Sequence, residues 1–368
     1  MRFKETSFPR GLSVCRRRAR LVLFDFTDEQ REFARSVDAW VAREFGADTL
    51  RQAWQDGQAR SRSNWDKLAE LGLTTILAPE ELGGLGGRFS DLTLSLERVG
   101  AAALDEPVAA TGAVVLPTLL RFGASELRET YAEQIAEGSL MCTIALGDSD
   151  LVADGGRADI VLYESEGALR LARSGEFAAT PVDSQDPSRR LARCVFDDSR
   201  SEIVTDDATA LRWVRAVSAT VTATLLNGLS TTLLDMSTEY VKQRQQFGQA
   251  VGSFQAIKHK LADVMIALEA ARSVGWFAMY ELDSSSEGWA AASAMAKSMA
   301  TRANLAAANA ALQCHGGIGF TREHNLHLFL QRSMAWQAID GSVAQHRRTT
   351  ARGAIEELRR AAPVGVGA

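Results

Sequence analysis

The segment that runs from Arg244 to Gln255 carries residue types that can bind an anion. Arg244 lies three residues before the pair Phe247-Gly248, at the predicted end of a long helix. A guanidinium in that position suits a diphosphate, with which it can form charge-assisted hydrogen bonds. An arginine at a helix C-terminus is also favoured by the helix dipole alone. Considered by itself, the segment therefore leaves anion binding and a solvated helix end equally open.

A second segment, from Gln313 to Phe320, has the sequence Gln-Cys-His-Gly-Gly-Ile-Gly-Phe. Gln313 offers an amide, and Gly316 and Gly317 leave the backbone without side-chain bulk, where a ligand could approach closely. The same glycines could simply end a helix, and that interpretation is the stronger one for the segment alone. The two segments become informative only in combination.

The sequence does not support other common catalytic arrangements. It contains no Gly-x-Ser-x-Gly motif, so a nucleophile of the α/β-hydrolase type is not indicated. His324 and His327 have metal-like spacing, but no acidic residue lies between them and no third ligand is evident. The four cysteines are scattered and form no Cys-x-x-Cys pair. We therefore predict neither a metal site nor a disulfide framework.

Composition limits the class of protein further. The 368 residues are 46% hydrophobic and carry a net charge of -5, so no global basic field indicates a nucleic-acid partner. No uninterrupted apolar run is long enough to span a bilayer, and the scattered cysteines agree with a reduced, cytoplasmic setting. Residues 1–20 are strongly basic with no apolar stretch after them. We interpret residues 1–23 as a disordered basic tail, with a transit peptide as the alternative.

The elements that would position the two segments form three blocks. A capping box at Thr27 begins an N-terminal helical domain over residues 24–140. Short β-like runs separated by Gly, Asp, Ser and Pro predict a small β domain over residues 141–205. Residues 206–362 return to helical periodicity, and residues 363–368 are predicted to be a tail. The helices predicted in the last block are 208–246, 253–281, 287–315, 325–340 and one more that ends at about 361.

Together with their surroundings, the two segments resemble the flavin-dependent acyl-CoA dehydrogenases. The similarity covers about residues 24 to 360. It is carried also by Phe24–Gln30, Leu68–Leu73, Pro79–Gly84 and Phe254–Asp263. The stretch Gly317–His327 is similar in particular to bacterial members that act on bulky or steroid side-chain thioesters. The resemblance implies a mainly α fold with an N-terminal helical domain, a shortened central β domain and a C-terminal four-helix bundle.

The resemblance also implies FAD as the cofactor and the α,β-desaturation of an acyl-CoA as the reaction, with a hydride passing to the flavin. The residues that would hold the diphosphate and adenine side of FAD are Arg244, Phe247 and Gln255. Those that would meet the FAD of a neighbouring subunit are Gln313, Gly316 and Gly317. Ser342 is also assigned to the cofactor. Because the site is shared in this way, it requires at least a dimer.

The reaction needs a carboxylate that takes the α proton, and the family places a glutamate at one of two positions. At the first, near the end of the bundle, this sequence has Asp340. At the second, on the helix that leads to Arg244, it has Ser218, which cannot serve as the base. Asp340 is one methylene shorter than glutamate, and a displacement of about an ångström can cost roughly a hundredfold in rate. Alternatively, Asp340 only caps the last helix.

Two functions remain open at this point, because the central block is markedly shorter than in the family and lacks the segments that contact the flavin ring. The chain is either an FAD-dependent acyl-CoA dehydrogenase with Asp340 as the base, or a catalytically degenerate partner subunit of a heterotetrameric dehydrogenase. The second would supply adenine-side FAD contacts and scaffold. The resemblance implies an acyl-CoA substrate, a homo-oligomer or a paralogous dehydrogenase subunit, and an electron-transfer flavoprotein or similar acceptor.

Overall fold

Helix α1 (Asp28–Glu44) begins at the predicted capping box. The Thr27 hydroxyl accepts a hydrogen bond from the backbone of Gln30 at 3.2 Å, and the Gln30 amide oxygen accepts one from the backbone of Thr27 at 2.8 Å. Two amide donors of the helix start are thereby satisfied. The structure, a computed structural model, describes residues 25–56, 63–104, 106–147, 149–284 and 288–361. The tails predicted at residues 1–23 and 363–368 lie outside the described residues.

The N-terminal block continues with six further helices in the described residues. These helices are α2 (Ala47–Asp56), α3 (Ser63–Glu70), α4 (Phe89–Ala101), α5 (Val108–Ala110), α6 (Leu116–Phe122) and α7 (Ser125–Ala136). A π-helical turn, Thr111–Val115, joins α5 to α6. The Thr111 hydroxyl in this turn accepts from the backbone N–H of Cys142 at 3.0 Å and donates to its carbonyl at 2.9 Å. The turn therefore fastens the helical block to the first strand of the central block.

The central block forms two small sheets. Its strands are β1 (Cys142–Ala145), β2 (Leu151–Val152), β3 (Ile160–Ser165), β4 (Ala168–Arg173), β5 (Phe177–Pro181), β6 (Ala192–Phe196) and β7 (Glu202–Thr205). The first sheet has the order β1-β3-β4-β7, and the second has the order β2-β6-β5. Only the β1–β3 pairing in these sheets is parallel. Tyr163 stacks on Phe196 at 4.0 Å between the sheets, in a hydrophobic cluster separate from the main core.

The C-terminal block is a bundle built around the 36-residue helix α8. Its helices are α8 (Ala208–Gln243), α9 (Gln255–Asp283), α10 (Trp289–His315), α11 (Leu326–Ala338) and α12 (Val343–Ala361). Within the described residues, α8 is the one helix long and apolar enough to cross a membrane, but 83% of its most apolar window is buried inside the protein. A helix that is apolar on all sides is expected at the centre of a bundle. The order helices, small sheets, helical bundle confirms the predicted fold class.

Two glycines fix how the N-terminal block packs on the bundle. Helix α4 crosses α8 where Gly100 faces Leu225 and Gly228 faces Glu97. A Cβ atom added to Gly100 would lie 2.2 Å from the carbonyl oxygen of Leu225, and one added to Gly228 would lie 1.9 Å from that of Glu97. No larger side chain fits at these distances, because each opposing atom belongs to backbone. The close crossing sets one wall of the cavity described next.

Candidate functional site

A cavity of about 510 Å³ lies where the N-terminal helices, strand β1, α8 and α11 meet. That volume is within the range of small-molecule binding sites. The apolar wall includes Val99, Leu104, Val114, Ile144, Val221 and Leu225. The polar residues on the lining include Thr143, Asp154, Arg189, Ser218, Thr222 and Asp340. The mixed lining suits a ligand that has both apolar and polar parts.

Asp340 lies in the turn between α11 and α12, on the cavity wall. The sequence predicts a helix as far as residue 340, but α11 ends at Ala338, because Asp340 has a φ of +59° and Gly341 a φ of +94°. Aspartate tolerates this left-handed conformation better than most residues. The Asp340 carboxylate accepts hydrogen bonds from the hydroxyls of Ser218 at 2.7 Å and Thr222 at 2.6 Å. Both carboxylate oxygens are thus held from α8.

The two hydroxyl donors lie on one face of α8, because residues four apart are neighbours on a helix. Ser218 and Asp340 are the residues that the sequence resemblance assigns to the two base positions. The structure joins them by a hydrogen bond, so the two assigned positions are adjacent in space.

The alternative that Asp340 caps the last helix is wrong. Ser342 occupies the position before α12, and its hydroxyl accepts from the backbone of Gln345 at 3.3 Å. The Gln345 side chain accepts in return from the backbone of Ser342 at 2.7 Å. This is a complete capping box. The carboxylate of Asp340 points instead to α8, while its carbonyl oxygen accepts a hydrogen bond from Nε2 of His346 at 2.7 Å.

A fully buried lysine lies close to the same turn. Lys297, on α10, has no exposed surface. Its ammonium group donates to the Thr301 hydroxyl at 3.2 Å and to the carbonyl oxygens of Trp336 and Gln337 at 3.4 Å. Burial lowers the pKa of Lys297 to about 8, although the charge of Asp340 acts in the opposite direction. The lysine thus supports the last turn of α11, directly before Asp340.

Arg332 joins all three blocks beside the cavity. Its guanidinium donates to Asp186 at 2.5 Å and to Ser188 at 2.5 Å, both in the central block. It also donates to the carbonyl oxygens of Ala103 and Leu104, at 3.0 and 2.8 Å, in the turn after α4. A buried arginine needs this full set of acceptors. The contacts fix α11, and therefore the turn of Asp340, against the other two blocks.

The residues assigned to the adenine side of FAD lie in the connection from α8 to α9. The predicted helix 208–246 ends at Gln243, because Phe247 and Gly248 have φ values of +52° and +78° and form a two-residue hairpin. The hairpin strands are β8 (Gln245–Gln246) and β9 (Gln249–Ala250). Arg244 and Gln255 are exposed, and Phe247 at the hairpin tip is 90% exposed. These side chains are accessible to another molecule.

The second sequence segment lies at the same end of the bundle. Tyr240, one turn before Arg244, stacks on His315 with ring centroids 4.4 Å apart. Gln313 and Gly317 are exposed, and a Cβ added to Gly316 or Gly317 would meet no atom within 4 Å. The helix ends there with open backbone, as a close ligand contact requires. The structure therefore brings the two segments to one surface.

That surface and Asp340 lie far apart along α8. Thr222, which holds Asp340, and Arg244 are separated by 22 residues of sequence, or about 33 Å at 1.5 Å per residue. Ser342 lies with Asp340, whereas the other residues assigned to the cofactor lie at the far end. The predicted site residues thus form two groups in one chain, and these groups do not contact each other.

Sequence reasoning missed several side chains around Asp340. Thr222 has a recognisable signal, because it follows Ser218 by one helical turn. Lys297 has a weaker one, as a charged residue inside the Ala-rich stretch of α10. Arg189 and Arg332 have none, since their positions in the cavity depend on how the central block folds against the bundle.

Comparison with known proteins identifies relatives over most of the chain. The N-terminal domain model of acyl-CoA dehydrogenases matches residues 27–139, and the C-terminal domain model matches residues 209–355. The chain is 33% identical over 307 residues to the acyl-CoA dehydrogenase IpdE2 of Mycobacterium tuberculosis, covering 83% of this chain and 91% of the relative. It is 31% identical over 345 residues to acyl-CoA dehydrogenase FadE34 of the same species. That match covers 88% of this chain and 48% of the relative.

Solved structures share the fold. The ChsE4–ChsE5 complex from Mycobacterium tuberculosis contains a chain that superimposes with a TM-score of 0.80 at 23% identity, covering 90% of this chain and 99% of that one. Butyryl-CoA dehydrogenase from Megasphaera elsdenii gives a TM-score of 0.78 at 21% identity, with the same coverage. PigA, solved with FAD and proline, gives 0.80 at 20% identity, covering 91% and 99%.

Proposed function

Because the chain belongs to the acyl-CoA dehydrogenase family, we propose that it catalyses the α,β-desaturation of an acyl-CoA thioester within an oligomer. The family consists of FAD-binding flavoproteins, and FAD supplies the acceptor for the hydride that leaves the β carbon. The observation that carries the proposal is the carboxylate of Asp340, held in the wall of an acyl-sized cavity by Ser218 and Thr222.

In this proposal Asp340 takes the α proton. Ser218 and Thr222 hold its two oxygens in a fixed orientation. Less orientational freedom then has to be lost to reach the reactive geometry. A hydroxyl can both donate and accept, so the same two side chains can hold the carboxyl group before and after it gains the proton. The hydrogen bond from His346 to the Asp340 carbonyl keeps the turn in its left-handed conformation.

The apolar wall has a separate role. Side chains from α4, from the π-helical turn and from α8 would contact the acyl chain and exclude water from the carbon atoms next to Asp340. Burial of apolar surface would contribute to binding at roughly 25 cal/mol per Å². The carboxylate and its two hydroxyl donors then lie next to apolar surface, from which the bound acyl chain would exclude water.

The residues at the far end of α8 fit an extended cofactor shared between chains. Arg244 offers a guanidinium, which matches a diphosphate, and Gly316 and Gly317 offer backbone with no obstruction. The separation of about 33 Å between Arg244 and Thr222 supports an arrangement in which each chain contributes adenine-side contacts to a cofactor that it does not itself hold at Asp340. The proposal therefore requires at least a dimer.

A second candidate function is that of a partner subunit with no turnover of its own. The two matched family models leave residues 140–208 outside their ranges, which is where the short central block lies. Since one of the structures with this fold is a complex of two different chains, ChsE4 and ChsE5, a heteromeric assembly is a concrete alternative. In that case the exposed segments around Arg244 and Gly316 would remain functional, and Asp340 would not.

Anaerobic titration of the purified protein with acyl-CoA tests the proposal. The chain is expressed alone and together with a paralogous dehydrogenase chain, and the flavin absorbance is recorded. Bound flavin that is bleached by acyl-CoA supports the desaturation. Bleaching by the lone chain removes the partner-subunit candidate, whereas a complex that keeps full bleaching after Asp340→Asn supports that candidate and contradicts the role of Asp340. Asp206→Asn, at an exposed aspartate just before α8, is the matched control.

A further inference from the structure

Arginines surround the polar part of the cavity, and most of them have a carboxylate partner. The pairs are Arg157 with Glu106 at 3.2 Å, Arg190 with Asp154 at 2.6 Å and Arg332 with Asp186 at 2.5 Å. Arg189 differs from these arginines. It lines the same cavity, yet its side chain forms no hydrogen bond or ion pair with any residue in the described part of the chain.

The position of Arg189 is fixed by its two neighbours. Ser188 donates to Asp186 at 2.5 Å and accepts from Arg332 at 2.5 Å, and Arg190 is paired with Asp154. The backbone of Arg189 also takes part, because its carbonyl accepts from the N–H of Asp154 at 3.0 Å. The turn is therefore anchored on both sides, and only the Arg189 side chain is left to the cavity.

An arginine in this situation is electrostatically unfavourable without a ligand. Burial lowers the pKa of Arg189, and the positive charge of Arg332 lowers it further, while Asp186, Asp154 and Asp340 oppose this effect. The first two of these carboxylates are already paired with other arginines. A partly buried cation without a hydrogen-bonded counter-ion is less well stabilised than a fully hydrated one. An anion brought by the ligand would remove that cost.

Asp340 and Arg189 leave room for such a ligand. Both line the cavity, but the oxygens of Asp340 are held by hydroxyls of α8 and it forms no ion pair with Arg189. An acidic and a basic group are thus kept apart in one cavity with an apolar wall beside them. A molecule that contacts both would have its reactive carbon at Asp340 and a negative group at Arg189.

We propose that the cavity binds an acyl thioester whose acyl group carries a second, free carboxylate, and that Arg189 is the residue that binds it. The inference rests on the proposed function, which places the α carbon at Asp340. A guanidinium matches a carboxylate because it can donate two parallel hydrogen bonds to it. A permanent carboxylate compensates Arg189 throughout the bound state, whereas the negative charge on a thioester oxygen develops only during the reaction.

The expected consequence is discrimination against uncharged acyl chains. An uncharged chain of the same length would displace water from the cavity and leave the guanidinium of Arg189 without a partner. Sites that pair a polar group of the ligand reject analogues that lack it, because their own polar group is then left unsatisfied. A charged hydrogen bond of this kind corresponds to an affinity ratio of roughly 10- to 100-fold.

Binding of two non-reactive CoA thioethers tests the inference without any turnover. S-(5-carboxypentyl)-CoA and S-hexyl-CoA are titrated calorimetrically into the purified oligomer. We expect the carboxylated thioether to bind roughly 10- to 100-fold more tightly, Arg189→Met to abolish this preference, and Arg189→Lys to retain part of it. Arg212→Met, at an exposed arginine of α8, should keep the wild-type preference.

Three results would overturn the inference. One is equal or tighter binding of S-hexyl-CoA by the wild-type protein, which requires no variant. Another is that Arg189→Met weakens both thioethers equally. The third is that the substitution weakens only a 3-oxoacyl-CoA, whose enolate carries charge on the thioester side. If neither thioether binds, the proposed acyl-CoA site fails along with the inference, whereas binding without preference removes the inference alone.

Discussion

Replacement of Lys297 by methionine should change how stability depends on pH. Lys297 is fully buried on α10, and burial lowers its pKa from the ordinary value of 10.5 to about 8. Between these two values the unfolded chain binds more protons than the folded one. The free energy of unfolding of the wild-type protein therefore rises as the pH increases through that window. Lys297→Met removes this contribution, because methionine does not titrate.

The size of the effect follows from the shift. A difference of one pKa unit corresponds to about 1.4 kcal/mol, so the buried ammonium should reduce the free energy of unfolding by about 3 kcal/mol below pH 8. The net gain from Lys297→Met at neutral pH will be smaller. The carbonyl oxygens of Trp336 and Gln337 lose a donor, at a cost of about 1 kcal/mol each.

Chemical denaturation between pH 7 and 10.5 measures this contribution. The free energy of unfolding of Lys297→Met minus that of the wild type should fall by about 3 kcal/mol across the window and change sign, since groups common to both proteins cancel. Lys242→Met, at an exposed lysine near the end of α8, should follow the wild type. If the wild type and Lys297→Met show parallel pH dependence, the ammonium is not desolvated as described, and the reasoning is refuted.

Two further substitutions test the packing that positions the cavity. Gly228→Ala would place a methyl group 1.9 Å from the backbone oxygen of Glu97. We therefore expect it to lower the free energy of unfolding by at least about 1–3 kcal/mol in denaturant titrations. Gly46→Ala, with no atom within 4 Å, is its control, and an equal effect of both would contradict the close crossing. Although burial acts to raise it, Arg332 holds the pKa of Asp186 below its ordinary value. Arg332→Met should therefore lower the free energy of unfolding by about 3–5 kcal/mol at pH 7, and this loss should diminish as the pH falls below 4. A loss that does not change with pH would contradict the pairing of Arg332 with Asp186.

The order of the blocks could be predicted from the sequence because it depends on local signals. The Thr27 capping box and the periodicity of α8 to α12 are properties of short windows, and most helix bounds follow from them. The differences occur at Phe247-Gly248 and Asp340-Gly341. There, non-glycine residues take positive φ values, which end the helices two or three residues early. Propensity alone does not identify such positions.

The site could be predicted only in part for a different reason. Asp340 and Ser218 were assigned from the family pattern, but their hydrogen bond joins residues 122 apart in sequence. That Arg189 has no ion-pair partner in the described residues is even harder to predict from the sequence. It depends on which of the neighbouring arginines pairs with each carboxylate. Such pairings are set by tertiary packing, and nothing in the Asp-Pro-Ser-Arg-Arg sequence distinguishes Arg189 from Arg190.

The central claim is that Asp340 takes the α proton of an acyl-CoA. It is tested most directly by the rate of flavin bleaching after Asp340→Asn, measured by anaerobic stopped-flow on protein with the same flavin content as the wild type. Asparagine preserves the size of the side chain and tolerates the φ of +59°. Positioned proton transfer contributes about 10²- to 10⁴-fold, so we predict a loss of at least about a hundredfold. Bleaching within a few-fold of the wild-type rate would contradict the claim.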